Sequence, residues 1–299
     1  MRSKELKQLV KEKYGRIAKQ NSENQSCCCG SSCCGPEVDY TVFSEDYKDR
    51  EGYNPDADMS LGCGIPTDFA GIKPGDHVLD LGSGAGNDCF VARALVGETG
   101  KVTGLDMTEQ MVAKARENCG KLNFENVEFV LGDIEEMPFD DGLFDVVISN
   151  CVLNLVPDKS KAFSEIYRVL KPGGVLSAVT YGPLTVDDRA VDELIQAFYH
   201  DWVGAFWPPE RQHVENNYRD IGFPFPAIAA PSIEMSLHWR VVQLLGYLRS
   251  WSATDAYEKA KGENPVDRLI PLLGAINKLG DQTLKVSWPL TVLAGYAPA

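Results

Sequence analysis

Three observations predict an α/β fold built on parallel strands joined by right-handed crossovers. Strand-like and helix-like apolar runs alternate between residues 77 and 179. A glycine-rich turn separates the first strand from the first helix of that alternation, and an aspartate stands at or just beyond the end of each of the first three strands. The strand-like runs are His77–Leu81, Val102–Leu105, Val127–Val130, Phe144–Ser149 and Val175–Val179; the helix-like runs are Asp88–Val96, Thr108–Cys119 and Lys159–Leu170. Lys171-Pro-Gly-Gly174 ends the last helix and returns the chain to a strand.

Ahead of this core, Leu6, Val10, Tyr14 and Ile17 fall at helical spacing, so residues 3–19 are expected to be a helix, and the polar, Cys-rich stretch 20–37 a loop. Beyond it, residues 188–202, 209–221, 237–250, 253–261 and 265–279 read as helical, while Ser232–Ser236 and Thr283–Leu293 read as strands. This pattern implies a helical lid inserted before the last strand. The expected organisation is an amino-terminal helix and Cys-rich flexible loop (1–40), an α/β domain (41–180), and a carboxy-terminal lid region that completes the sheet (181–299).

Composition narrows the function. The 299 residues carry a formal charge of −14, which argues against nucleic acid and anionic membranes as partners. No apolar run is long enough to span a membrane, and residues 1–20 lack a signal peptide's apolar core. Five of the nine cysteines lie between Cys27 and Cys34; the others are Cys63, Cys89, Cys119 and Cys151. An odd count with adjacent thiols does not describe a disulfide framework, so the chain reads as cytoplasmic with reduced thiols. The Cys27–Cys34 run suits a soft-metal or metalloid tether or a solvated tail better than a structural zinc site.

The turn Asp80-Leu-Gly82-Ser-Gly84-Ala-Gly86 has the spacing G-x-G-x-G, with an acid two residues before the first glycine. Dinucleotide sites use G-x-G-x-x-G and a phosphate-ready helix terminus. A sulfonium cofactor without a pyrophosphate gains from carboxylates instead. Asp106, ending the second strand, suits ribose hydroxyls; Asp133, after the third, suits an adenine amino group, with Ile134 beside the base. These features predict an S-adenosylmethionine-dependent methyltransferase domain. Its candidate cofactor residues are Asp80, Gly82, Ser83, Gly84, Gly86, Asp106, Met107, Asp133, Ile134 and Asn150.

Residues from about 9 to 174 resemble the arsenite methyltransferases. The likeness rests on Leu61-Gly-Cys63-Gly64, the segment from Asp80 to Phe90, Asp106-Met-Thr108 and Ser149-Asn-Cys151-Val-Leu-Asn-Leu-Val-Pro-Asp-Lys159. The resemblance implies the class I methyltransferase fold, a seven-stranded, mostly parallel sheet with helices on both faces. It also implies Cys63 and Cys151 as As(III) ligands, Cys33 or Cys34 as their redox partner, and a thiol reductant such as glutathione or thioredoxin. Cys89 and Cys119, inside helices, read as buried and inert. The family's further arsenic-binding cysteine has no counterpart, since no cysteine follows Cys151. Residues from about 178 to 296 resemble instead the trans-aconitate methyltransferases, through Trp207-Pro-Pro-Glu-Arg211, Leu248-Arg-Ser-Trp-Ser-Ala253 and Val286-Ser-Trp-Pro-Leu290. That likeness implies a lid over a small carboxylate, with Arg211, Arg249 or Trp251 as contacts. The expected function is methylation of thiolate-bound As(III) by a monomer acting on a small molecule. O-methylation of a small organic acid is the alternative.

Overall fold

A computed structural model describes residues 3–24, 47–59, 61–229, 232–276 and 283–298. Cys27–Cys34, and with it the expected role of Cys33 and Cys34, lies outside the described residues. Five strands run parallel: β1 (His77–Leu81), β2 (Lys101–Asp106), β3 (Val127–Leu131), β4 (Phe144–Asn150) and β5 (Leu170–Tyr181). Then follow β6 (Thr185–Val186), β7 (Ile233–Trp239) and β8 (Leu284–Tyr296). The order is β3-β2-β1-β4-β5-β8, and β8 pairs antiparallel with β5, β6 and β7. The seven expected strands are present, and the two-residue β6, which pairs at Ser287 and Val286, raises the total to eight. β1 and β4 are buried on both faces: Val78, Leu79, Leu81, Val147 and Ile148 are wholly inaccessible. That is the burial of a parallel sheet covered by helices on each side.

The helices over the parallel half are α1 (Ser3–Asn24), α2 (Asn87–Val96), α3 (Glu109–Leu122) and α4 (Lys159–Val169). Asp158 caps α4 by accepting from the Lys161 amide at 2.9 Å. α1 runs five residues past its expected end, because no glycine or proline interrupts residues 16–24 and polar composition alone does not stop a helix. Its Tyr14, Ile17 and Ala18 pack on Met59, Ala85 and Met111, so α1 leans over the glycine turn.

In the second half, α5 (Arg189–Ala197) continues into a wide π turn at Phe198–Trp202. The helix expected over 209–221 shrinks to α6 (Arg211–Glu215), since Asn217 and Tyr218 adopt left-handed φ of 50° and 57°. α7 (Val241–Arg249), α8 (Ser252–Lys261) and α9 (Leu269–Ile276) fall between β7 and β8, as the pattern predicts. β7 takes residues as far as Trp239 that the pattern gave to a helix. These helices share one apolar cluster with β5, β8, Cys63 and Cys151, built around Phe198, Trp239, Trp251 and Trp288. Trp288 is fully buried and its indole N–H donates to the Tyr247 hydroxyl at 3.1 Å. Trp288→Ala should therefore cost about 3–5 kcal/mol, read as a lower midpoint in urea unfolding.

Candidate active site

The strand order reverses between β1 and β4, and such a switch point opens a crevice at the carboxyl ends of the strands. The loop after β1 carries Gly82, Gly84 and Gly86 with φ of 73°, 52° and 101°. A Cβ at Gly82 would strike Val152, so a side chain there is barred by space as well as by conformation. Gly82, Ser83, Gly84, Asp106, Met107, Asp133, Ile134, Asn150 and Cys151 all face one cavity.

Two expected residues do not. Gly86 packs against Phe90 and Phe129 behind the wall. Asp80 is 1% exposed and points to α2, where the Cys89 thiol donates to its Oδ2 at 3.3 Å. Burial first, and the neighbouring Asp88 charge second, push its carboxyl well above the usual range. Asp80 thus supports the turn from beneath and offers no carboxylate to the cavity. Cys89 is buried as expected, with the further role of partnering Asp80.

The cavity wall is acidic: among the described residues, Asp58, Asp88, Asp106 and Asp133 face a single lysine, Lys7 of α1. Asp106 accepts from the amides of Gly84 (3.0 Å) and Thr108 (2.8 Å), leaving lone pairs on both oxygens. Asp133 meets Lys7 Nζ at 2.6 Å, and Glu135 meets the same nitrogen at 2.6 Å. Burial raises the Asp133 carboxyl but the Lys7 contact outweighs it, and the group is held below its ordinary value. Among the described residues, the buried Ser83 Oγ and Asn87 Oδ1 on this wall have no hydrogen-bond partner. Orphaned polar atoms, lone pairs and net negative charge fit S-adenosylmethionine, a polar molecule with a cationic sulfur.

Sequence reasoning missed Asp88, Tyr47, Asp58, Lys7 and Tyr14, all on this wall. Asp88 and Tyr47 join Asn150 in a buried network. The Asn150 Nδ2 group lies 3.0 Å from Asp88 Oδ2, 2.8 Å from the Tyr47 hydroxyl and 2.7 Å from the Gly64 carbonyl. Its Oδ1 accepts from the Cys63 amide at 3.0 Å. Asn150, expected to hold the cofactor, therefore spends its amide on fastening the 62–64 loop to the wall. A Cβ at Gly62 would come 2.6 Å from Nδ2, so the loop lies flush against it. Burial pushes the Asp88 carboxyl up to about 6, while hydrogen bonds from Tyr47 and Asn150 oppose the rise.

Cys63 and Cys151 come together as a disulfide, with Cα atoms 6.2 Å apart. The expectation of reduced thiols is corrected here: both sulfurs are oxidised, and neither is a thiolate in this form. Cys151 follows β4, lines the cavity and donates its amide to the Val179 carbonyl at 2.8 Å. Cys63 lies behind it, 2% exposed. The pair thus sits between the cofactor cavity and the aromatic cluster of the carboxy-terminal half. Arg249, a candidate substrate contact, instead pairs with Asp267 at the surface at 2.5 Å.

A methyltransferase-domain family profile matches residues 72–213. A protein from Aquipseudomonas alcaligenes named arsenite methyltransferase is 32% identical over 87% of this chain and 74% of its own length. The chain belongs to the arsenite methyltransferase family. A Halobacterium salinarum member is 45% identical over 57% of this chain, yet the chain spans only 46% of that protein's length. The family likeness at 270 residues also extends past residue 174, into the carboxy-terminal half. Among solved structures, a type II methyltransferase from Anaeromyxobacter dehalogenans superposes with a TM-score of 0.62 at 31% identity, covering 78% of this chain and 94% of the other. The fold is that of class I S-adenosylmethionine-dependent methyltransferases.

Because Asp88 is neutral below about 6 and anionic above it, cofactor affinity should rise as pH climbs through that value. One added charge on the wall predicts a gain of about tenfold by calorimetric titration, absent in Asp88→Asn. The sign for folding is opposite: stability from the neutral carboxyl is complete below its ordinary value and lost as pH rises to about 6.

Proposed function

We propose that this chain methylates As(III) held by the thiolates of Cys63 and Cys151. The observation that carries the reading is that Cys151 lines the cofactor cavity while its sulfur meets Cys63. As(III) is soft and favours thiolate ligands, so reduction of the disulfide yields a ready pair. Thiolates on the β4 side of the crevice hold the arsenic with its lone pair free toward the cavity. S-adenosylmethionine, when bound, supplies a methyl group on a cationic sulfur. Its holders would be the glycine turn, Asp106 beside the ribose, Asp133 and Ile134 around the adenine, and Met107 between them. Asp88 supplies negative charge from the same wall.

No general base is needed, because the acceptor is a lone pair rather than an X–H bond. Addition of a methyl cation formally oxidises arsenic by two electrons. Cys63 and Cys151 can return those electrons by forming their disulfide, and two electrons from a glutathione- or thioredoxin-type thiol reopen it. The third arsenic ligand comes from Cys33 or Cys34. The intracellular supply of such reductants fits a cytoplasmic protein. The division into an amino-terminal thiol segment (1–40), a cofactor domain (41–180) and a lid region (181–299) belongs to the same proposal.

The test is methyl transfer to As(III) in the presence of excess thiol. Cys151→Ser and Cys63→Ser should each lower turnover by at least about 10²-fold, since the acceptor loses its position. Cofactor affinity of Cys63→Ser, whose side chain is outside the cavity, should stay within about twofold of wild type. Unchanged arsenic methylation in both variants would sink the proposal.

A further inference from the structure

Cys63 and Cys151 share one disulfide but not one environment. Cys151 lines the cofactor cavity, on the same wall as Gly82, Asp88 and Asn150. The described residues that line it include Leu61 and Gly62 but not Cys63. Cys63 is 2% exposed and Cys151 7%. The Cys63 sulfur is backed by Asn150 Oδ1 at 3.6 Å and by the Val179 carbonyl at 3.9 Å. Beyond the pair lies the apolar cluster of the carboxy-terminal half, in which Val179, Trp239 and Trp288 are at most 3% exposed.

Opening a disulfide needs access of a particular kind. A thiolate must meet one sulfur along the S–S axis, from the side away from the sulfur that leaves. On Cys63 that approach is walled by Asn150 and Val179. Cys151 has the cavity on one side and Cys63 on the other. The cavity is also the space that fits S-adenosylmethionine, so a thiol and the cofactor contend for it.

We infer that a small-molecule thiol reopens the disulfide by attacking the Cys151 sulfur from inside the cofactor cavity, so that reduction waits until the cofactor or its demethylated product has left. The inference goes beyond the arsenic reading, since it needs the cavity and the cysteine pair but no arsenic. In the first step the thiolate bonds to the Cys151 sulfur, the Cys63–Cys151 bond breaks, and Cys63 takes up the proton that the thiol gave. Its new S–H faces the two oxygens already beside it. In the second step another thiolate attacks the reductant's sulfur in the mixed disulfide, and Cys151 leaves with that thiol's proton. Two thiols are oxidised to one disulfide, and two protein thiols are formed.

Two measurements on the full chain test this, neither with arsenic present. In the first, dithiothreitol opens the oxidised wild type, iodoacetamide quenches samples at intervals, and mass spectrometry of the Cys63 and Cys151 peptides follows the rate. S-adenosylhomocysteine at ten times its Kd should slow opening about tenfold, the fraction of empty cavities setting the rate. An unchanged rate would overturn the inference. The second alkylates the single thiol that each substitution leaves. Cys151 in Cys63→Ser should react at least about tenfold faster than Cys63 in Cys151→Ser. S-adenosylhomocysteine should protect Cys151 about tenfold and change Cys63 by less than about twofold. Equal reactivity would overturn the inference, and so would equal protection, because a ligand that merely stiffens the fold slows both thiols alike. A wild type that fails to methylate As(III) while protection holds would leave this inference standing and remove the arsenic reading. Arsenic methylation lost in both serine variants, with wild-type reduction indifferent to S-adenosylhomocysteine, would do the reverse.

Discussion

The reversal of strand order between β1 and β4 is the constraint on which the rest of the molecule depends. Right-handed crossovers carry the chain from β1 outward to β3 and then back to the other side of β1. The loops that leave β1 and β4 must therefore part, and the gap between them is set by topology before any side chain acts. The glycine turn fills one lip of that gap and Asn150-Cys151 the other. α1 and the 62–64 loop are coverings laid over it.

Much of this was legible in the sequence. Strand periodicity and the glycine spacing place β1 to β4 to within about one residue, because local rules govern them. β5, by contrast, takes Leu170 and Lys171-Pro-Gly-Gly174 into the strand through a register shift against β4, five residues ahead of the expected start. Asp106, Asp133 and Cys151 were readable as well, since the end of a parallel strand is a place that topology makes special. Asp80 was misread because strand alternation, rather than its rank in a series of acids, decides where a side chain points. Asp88, Tyr47 and Lys7 left no signal. Their roles exist only where segments far apart in the chain converge, 41 residues for Tyr47 with Asp88 and 126 for Lys7 with Asp133. The carboxy-terminal helices were blurred for a related reason: their boundaries are set by packing around Trp239 and Trp288 and by left-handed residues such as Tyr218, none of which a periodicity count detects.

The buried network at Asn150 binds the two halves of the chemistry together. The Tyr47 hydroxyl lies 2.6 Å from both the Gly64 carbonyl and Asp88, yet has one proton to give. Asn150 likewise has two amide hydrogens for three oxygens. With Asp88 ionised, three side-chain hydrogens serve four oxygens, and protonation of Asp88 adds a fourth. The loop bearing Cys63 is thus hung from the wall of the candidate cofactor cavity, and the cysteine pair and that cavity share one set of fixings.

Cys151 carries a φ of 57°, a left-handed backbone that glycine or asparagine adopts more easily. In a strand, consecutive side chains face opposite sides; the swing at this residue lets Asn150 and Cys151 open onto the same cavity. A side chain other than glycine in that conformation costs about 1–3 kcal/mol. Backbone preference and sulfur chemistry therefore pull this position in opposite directions. Exchange for glycine would ease the backbone and remove the sulfur, so the fold is held less comfortably at this position because the thiol requires it.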